Sequence, residues 1–309
     1  MGISREQALD CFRSDDLVGI GMEADAVRRR LHPEGVVTYA IGCEVEVGRA
    51  GEDSLDGLGD TIGEAAEMGG TGVRVSGGIG AGREGIERFE GVVRGIRQRF
   101  PELLIEGVTA AEARSMAADC GVGLREAIAR LRNAGLDAIA GDGVDLAGGI
   151  GLGCGRCSVA EWAEVHRAAH GVGMRTATVM VFGAGETLEQ RVSFLEAVRK
   201  LQQETGGFAA FVPVAADAPG GRELDGITAV ERLKTLAVGR MFLDNIENVQ
   251  AVRAGHGLKV LQTGLRFGAN DVGWVSGKGA SEEDVRRIIR DAGFKPAQRD
   301  AAYRAMMLS

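Results

Sequence analysis

Short apolar runs of strand length recur along the chain with helical patterns between most of them, and this alternation restricts the fold more than any other feature. The runs are Val36–Ile41, Gly72–Ser76, Leu103–Val108, Leu136–Ala140, Thr176–Phe182, Phe208–Val214, Ile246–Val252 and Val260–Phe267. They are nearly continuous rather than alternating with polar residues, as strands covered on both faces of a parallel sheet are. Parallel neighbours need a crossover of a dozen or more residues. Helical patterns at 60–68, 85–100, 111–118, 124–134, 159–170, 188–204 and 229–238 supply it. Eight such units in 309 residues predict an α/β chain closed as a (β/α)8 TIM-type barrel, with a doubly wound open sheet as the alternative.

The ends follow from capping signals. Ser4 with Gln7 forms a capping box that opens a helix through Phe12, and a second helix over 22–31 stops before the His32-Pro33-Glu34-Gly35 turn. Ser281 with Asp284 caps the last helix, Glu282–Ala292. The chain is therefore expected to be one domain: a helical extension over 1–35, a barrel over 36–292 and a tail over 293–309. No linker rich in Pro or Ser divides it.

Charge narrows the partners. With 36 basic against 44 acidic side chains, a net charge of −8 and no basic stripe, nucleic acid and anionic membrane are not the expected partners. No run approaches a membrane span, the first ten residues lack an apolar signal core, and five scattered cysteines make no disulfide framework. The expectation is a cytoplasmic protein with a small-molecule ligand, a homodimer being open to it.

In a parallel barrel the chemistry sits on the loops that follow the strands. Glu44 and Glu46 flank Val45 at strand period, so both carboxylates point to one side and could work as an acid/base pair; the plainer reading is solvated loop charge. Glu106, Asp142, Asp145, Glu186, Asp217 and Asp271 fall at or past strand ends, an acidic rim matched by Arg175, Arg222 and Arg266. Cys154 and Cys157 form a C-x2-C pair, read as free thiols before metal or redox ligands. His166 and His170 share a helix face at i, i+4, and packing is favoured over metal ligation because no HExxH glutamate separates them. Gly77 to Gly82 resembles a phosphate cradle without the P-loop lysine, and Val272 to Ala280 reads as a lid or a shortened connector.

Several longer segments carry a resemblance. ISREQALDCFRS, HPEGVVTY, GLDAIAGDG, the W-x-E-V-x-R-x-A-H stretch at Trp162, ETLEQRV, LQQETGGFAAFVP, the R-x-x-LDN segment at Arg240, LRFGAND at Leu265 and AGFKPAQRD are similar, in the same order, to the futalosine-pathway radical S-adenosylmethionine enzymes. The likeness is greatest to the cyclic dehypoxanthine futalosine synthase branch, with aminofutalosine synthase and the deazaflavin synthase subunits as cousins. It implies a radical-type (β/α)8 barrel. It also implies a C-x3-C-x2-C motif after the first strand, whose thiolates hold a [4Fe–4S] cluster that binds S-adenosylmethionine.

The sequence departs from that pattern on one face. The loop after the first strand reads IGCEVEVGRAGEDSLDGLGD, with Cys43 alone and roughly twenty residues fewer than the resemblance implies. Gly183-Ala184-Gly185-Glu186-Thr187 stands where the family has a histidine, and a segment after FGAND is missing. Retained are Ser76, Gly77 and Gly78, where the family holds the cofactor's amino group, and Asp145, where it often has Glu. Arg266 and Asn270 in LRFGAND are expected to face the barrel mouth, with Asp244 and Asn245 holding a strand end. Ser76, Gly77, Gly78, Arg175, Arg266 and Asn270 are thus the ligand-binding candidates, and no metal ligands are assigned. The expectation is a cluster-free homologue of these menaquinone-pathway enzymes that keeps a nucleoside- or S-adenosylmethionine-like pocket. If catalytic, it would act as a lyase, isomerase or cyclase through Glu44, Glu46, Asp145 or Glu186. A non-catalytic binding or regulatory barrel is the alternative, and an active radical enzyme with unorthodox ligands is disfavoured by the missing motif.

Overall fold

A computed structural model describes residues 2–47, 55–77, 83–147, 156–218, 222–223, 227–252, 257–275 and 281–306. Its elements begin with α1 (Arg5–Arg13), α2 (Leu17–Leu31), β1 (Val36–Glu46), α3 (Leu55–Glu67), β2 (Gly72–Ser76), α4 (Arg83–Arg99), β3 (Leu104–Gly107), α5 (Ala110–Cys120), α6 (Leu124–Ala134) and β4 (Ala138–Ile139). They continue with α7 (Val159–Gly171), β5 (Thr176–Phe182), α8 (Leu188–Thr205), β6 (Phe208–Ala215), a small antiparallel hairpin of β7 (Asp217–Ala218) and β8 (Arg222–Glu223), and α9 (Ala229–Phe242). The last are β9 (Asn248–Val249), α10 (Gly257–Leu265), β10 (Asp271–Val275), α11 (Glu282–Asp291) and β11 (Lys295–Gln298). Capping boxes at Ser4, Thr109, Ser158, Thr187 and Ser281 start five of the helices by satisfying backbone N–H groups that have no intrahelical partner.

The strands form two parallel arcs, β10-β1-β2-β3-β4 and β5-β6-β9. Backbone bonds join the arcs at both seams. Val179 N–H donates to the Gly141 carbonyl at 3.1 Å between β4 and β5, and Ala251 N–H donates to the Asp271 carbonyl at 2.8 Å between β9 and β10. β1 to β6, β9 and β10 therefore close into the expected (β/α)8 barrel, with helices outside. Among the described residues no helix is long and apolar enough to cross a membrane.

One strand differs from the sequence reading. Val260 to Phe267 is not the eighth strand: Leu261, Gly264 and Leu265 form the buried face of helix α10, and the strand is Asp271–Val275. A short apolar run does not distinguish a strand from a buried helix face, and the polar Asp271 disguised the true strand start. The shift carries Arg266, Asn270 and Asp271 from the mouth of the barrel to its opposite end, because all three now stand at or before the start of β10.

That opposite end is organised by the predicted tail. The upper half of β1, Gly42–Glu46, pairs with β2, and its lower half, Val36–Tyr39, pairs with β11. Arg299 follows β11 and enters the core, where its guanidinium meets the Asp271 carboxylate through Nε and, at 2.9 Å, Nη2. Both side chains are fully buried. The same carboxylate accepts from Thr38 Oγ1 at 2.6 Å and Gly273 N–H at 2.8 Å. Burial works against the guanidinium's charge, but Asp271, together with Tyr303 and Asp300, more than offsets it and raises its pKa. The N-terminal extension covers another side: α1 lies on α8 and α9, and α2 on α9. Arg199 Nη2 ties Ile3 and Phe242 together through their carbonyls at 2.7 and 2.6 Å.

Arg299→Ala should lower stability by about 3–5 kcal/mol, since it leaves a buried carboxylate without its cation. Equilibrium urea unfolding of the variant against the parent measures this.

Candidate functional site

Strand alternation decides what faces the barrel lumen. Arg74 on β2 and Glu106 on β3 are register partners and form an ion pair, with Arg74 Nε 3.0 Å from Glu106 Oε1. Glu106 is the main reason the guanidinium's pKa is raised against desolvation, and the fields of Asp142 and Glu44 add to it. Glu44 and Asp142 line the same cavity, which measures about 340 Å³ and has Val179, Val181, Val212 and Val214 on its other wall. Asp142 Oδ1 is buried and has no hydrogen-bond partner among the described residues.

A tryptophan covers the remaining side. Gly42 and Gly72 are register partners on β1 and β2, and a Cβ on either would meet the Trp274 ring, at 2.4 Å and 3.0 Å. Two adjacent glycines thus let the indole lie against bare backbone. Gln250 and Tyr303 complete the lining, joined by Tyr303 OH donating to Gln250 Oε1 at 3.0 Å.

Glu44 also lines a second cavity of about 630 Å³ beside the carboxyl end of β1, together with Glu46, Glu64, Thr61 and Ser76. The two sequence-predicted carboxylates therefore do share a side of β1. Ser76 Oγ donates to the Val45 carbonyl at 3.4 Å. Gly77 has φ +73°, and a Cβ there would strike Glu46 Cγ at 2.9 Å, so the Ser76-Gly77 turn and Glu46 are in contact range. Gly78 lies outside the described residues, as does Cys154.

The other candidates are placed elsewhere. The Glu186 side chain is fully buried, accepts from Gly183 N–H at 2.6 Å and Ala184 N–H at 2.9 Å, and pairs with Arg191 Nε at 2.7 Å; it holds its loop in shape. Asp145 Oδ1 accepts from Ala147 N–H at 3.0 Å in a local turn, and Asp145 N–H donates to the Cys157 carbonyl. Asn270 is buried below the barrel, where it accepts from Arg240 Nη2 at 2.6 Å and Val249 N–H at 2.9 Å and donates to Asn248 Oδ1 at 2.8 Å. Arg266 stacks over the Phe294 ring at 4.5 Å, away from the mouth. Arg175 precedes β5 and lines a cavity at the lower end. Asn245 Nδ2 donates to the Arg199 carbonyl at 3.1 Å, and Asp244 Oδ2 lies 3.9 Å from Arg30. Val272 to Val275 is barrel strand rather than lid or connector. The side chains of Asp217 and Arg222 lie outside the described residues.

His166 and His170 are packing residues. His166 Nδ1 and His170 Nε2 each lie 3.0 Å from Thr176 Oγ1, and both rings pack on Phe208. Burial lowers their pKa values to about 3 and about 4.

Residues 205–309 match the family model described as the CofH/MqnC C-terminal region. Across 99% of the chain and 86% of the relative, the sequence is 32% identical to the cyclic dehypoxanthine futalosine synthase of Streptomyces coelicolor. The chain belongs to the futalosine-pathway radical S-adenosylmethionine family. A second member, the aminodeoxyfutalosine synthase of Thermus thermophilus, is 34% identical over 69% of this chain and 63% of its own length. The family barrel is also that of methylornithine synthase, whose crystal structure superposes with a TM-score of 0.69 at 14% identity over 96% of this chain and 95% of the other. The alignment with the Streptomyces member runs over 345 positions against 309 residues here, so at least 36 of its positions face gaps in this futalosine-family chain.

Sequence reasoning missed Arg74, Gln250, Trp274 and Tyr303 as lumen residues. Arg74 sits mid-strand, where the signal would have been a charged residue inside an otherwise apolar run, GVRVS. The neutral buried histidines predict a pH effect. In the unfolded chain they take up protons below about pH 6.5, while the folded chain does not until about 4 and 3. Their stability contribution is complete above pH 6.5 and is lost as pH falls toward 4. Urea unfolding should show a loss of about 1–2 kcal/mol per histidine between pH 7 and pH 5, reduced by roughly half in His170→Asn.

Proposed function

We propose that this chain is a futalosine-family barrel that works without a [4Fe–4S] cluster. In this reading it binds a nucleoside- or S-adenosylmethionine-like molecule in the lumen and performs acid/base chemistry centred on Asp142. The thiol donor set supports the first part. Cluster ligation needs several cysteines on one loop, yet Cys43 is the one cysteine between residues 12 and 119. It lies within β1, and desolvation raises its pKa, whereas a ligand must be a thiolate. Cys157 is raised to about 11 by burial and points Sγ at the Gly143 carbonyl, 3.6 Å away.

The observation that carries the second part is Asp142 Oδ1. An acceptor that is buried and unmet costs about 1–3 kcal/mol; Asp142 Oδ1 has no partner among the described residues, and its residue lines a cavity of a size that takes small organic ligands. A ligand N–H or O–H would satisfy it, and a carboxylate so placed can take that proton. Glu44 and the Arg74–Glu106 pair would orient the polar end of the ligand, and Trp274 with the valines would take its flat apolar part. The cofactor-holding turn is kept in Ser76 and Gly77, with Glu46 beside it in place of iron. A carrier without turnover is the second reading, favoured by Glu46, Asp145 and Glu186 not lining this cavity.

Two measurements test the reading. Anaerobic reconstitution with iron and sulfide should leave the protein colourless; absorption near 400 nm that disappears in a Cys43/Cys154/Cys157 triple alanine variant overturns the cluster-free assignment. Native mass spectrometry of protein purified from its own host should show a retained small molecule that Val214→Phe, which fills the lumen wall, expels. Asp142→Asn should then keep binding but lose turnover if the chain is an enzyme, and equal retention in the Val214→Phe protein would remove the lumen as the site.

A further inference from the structure

The lumen ends below in a side chain that arrives from the far end of the sequence. Beyond β11 the chain turns back on itself, with Tyr303 N–H donating to the Asp300 carbonyl at 3.2 Å and Met306 N–H to the Gln298 carbonyl at 2.9 Å. Asp300 Oδ1 accepts from Arg304 N–H at 2.8 Å. The turn holds Tyr303 at φ +63°, one of two non-glycine residues with positive φ among the described residues. Such a conformation costs a residue with a Cβ on the order of 1 kcal/mol and persists only where its surroundings fix it. Here the Tyr303 hydroxyl is held by Gln250, and the Arg299 guanidinium lies 3.7 Å from the ring centre.

The ring stands between two cavities. Above it is the lumen, about 340 Å³, and below it a second space of about 220 Å³ lined by Leu104, Asp137, Arg175 and Ala302. Tyr303, Glu106 and Ala177 line both. We propose that Tyr303 is the floor of the ligand cavity: it sets the depth a ligand can reach, selects short ligands over long ones, and keeps the barrel from being a channel open at both ends. The consequence for ligand size rests on the lumen being the binding site, but the partition itself does not.

Quenching of Trp274 fluorescence by acrylamide, a small neutral probe, tests the partition, because Trp162, the other tryptophan, is fully buried. Tyr303→Gly suits the positive φ and should raise the Stern–Volmer constant about two-fold, while Tyr303→Phe keeps the ring and should leave it unchanged. Trp274→Phe/Tyr303→Gly reports Trp162 alone and must stay weakly quenched; if it does not, the glycine variant has unfolded and Tyr303→Asn, tolerated at this φ, takes its place. A folded variant without the ring whose constant equals the parent's overturns the proposal. Depth is read with 4-alkylphenols from p-cresol upward. The parent should bind only the shortest, and the variant without the ring should extend the limit by several carbons; the same limit in both refutes depth selection. Neither readout involves turnover, so a failure of the acid/base reading at Asp142 leaves both intact.

Discussion

The pairing of Asp271 with Arg299 is the constraint on which the lower barrel rests. Two charges removed from water lose several kcal/mol of solvation each, and only close geometry with further hydrogen bonds offsets that. Here the carboxylate has four donors, two from Arg299 and one each from Thr38 and Gly273. Those donors come from β1, β10 and the segment after β11, so satisfying one charge fixes three parts of the chain at once. The position of Tyr303, and with it the floor of the lumen, follows from where Arg299 must stand.

Above that floor the cavity is a product of strand register. Arg74 meets Glu106 because Gly72 pairs with Leu104 two residues earlier, and Trp274 enters because Gly42 and Gly72 fall side by side. A slip of one residue on β2 would turn Arg74 outward and put Val73 or Val75 in its place. The polar lining of the lumen is thus secured by backbone pairing, while Asp142 Oδ1 meets no partner among the described residues.

Much of the architecture could be read from the sequence because it is local. Seven of the eight strands and the capping boxes at Ser4 and Ser281 announce themselves through composition over a few residues. The segment at Val260 failed because a helix face and a strand look alike over so short a run, and that error moved Asn270 and Arg266 to the wrong end. Glu186 failed for another reason: its partner Arg191 lies five residues onward, inside α8, and nothing in a strand-end carboxylate shows whether it is already spoken for. The parity of Glu44 and Glu46 survived because it needs only the two-residue period of a strand. Tyr303 had no sequence signal, since the partner of its hydroxyl, Gln250, lies 53 positions away.

The pairing of Val36 with Lys295 joins residues more than 250 positions apart. Loop closure over such a span is slow, and contacts of this kind put a chain among the slow folders. During synthesis one edge of the lower half of β1 must stay open until residues 295–299 have been made. The exposed edge of β1 is then the surface most open to wrong partners, and the speed with which the C-terminal segment docks decides how long it stays so.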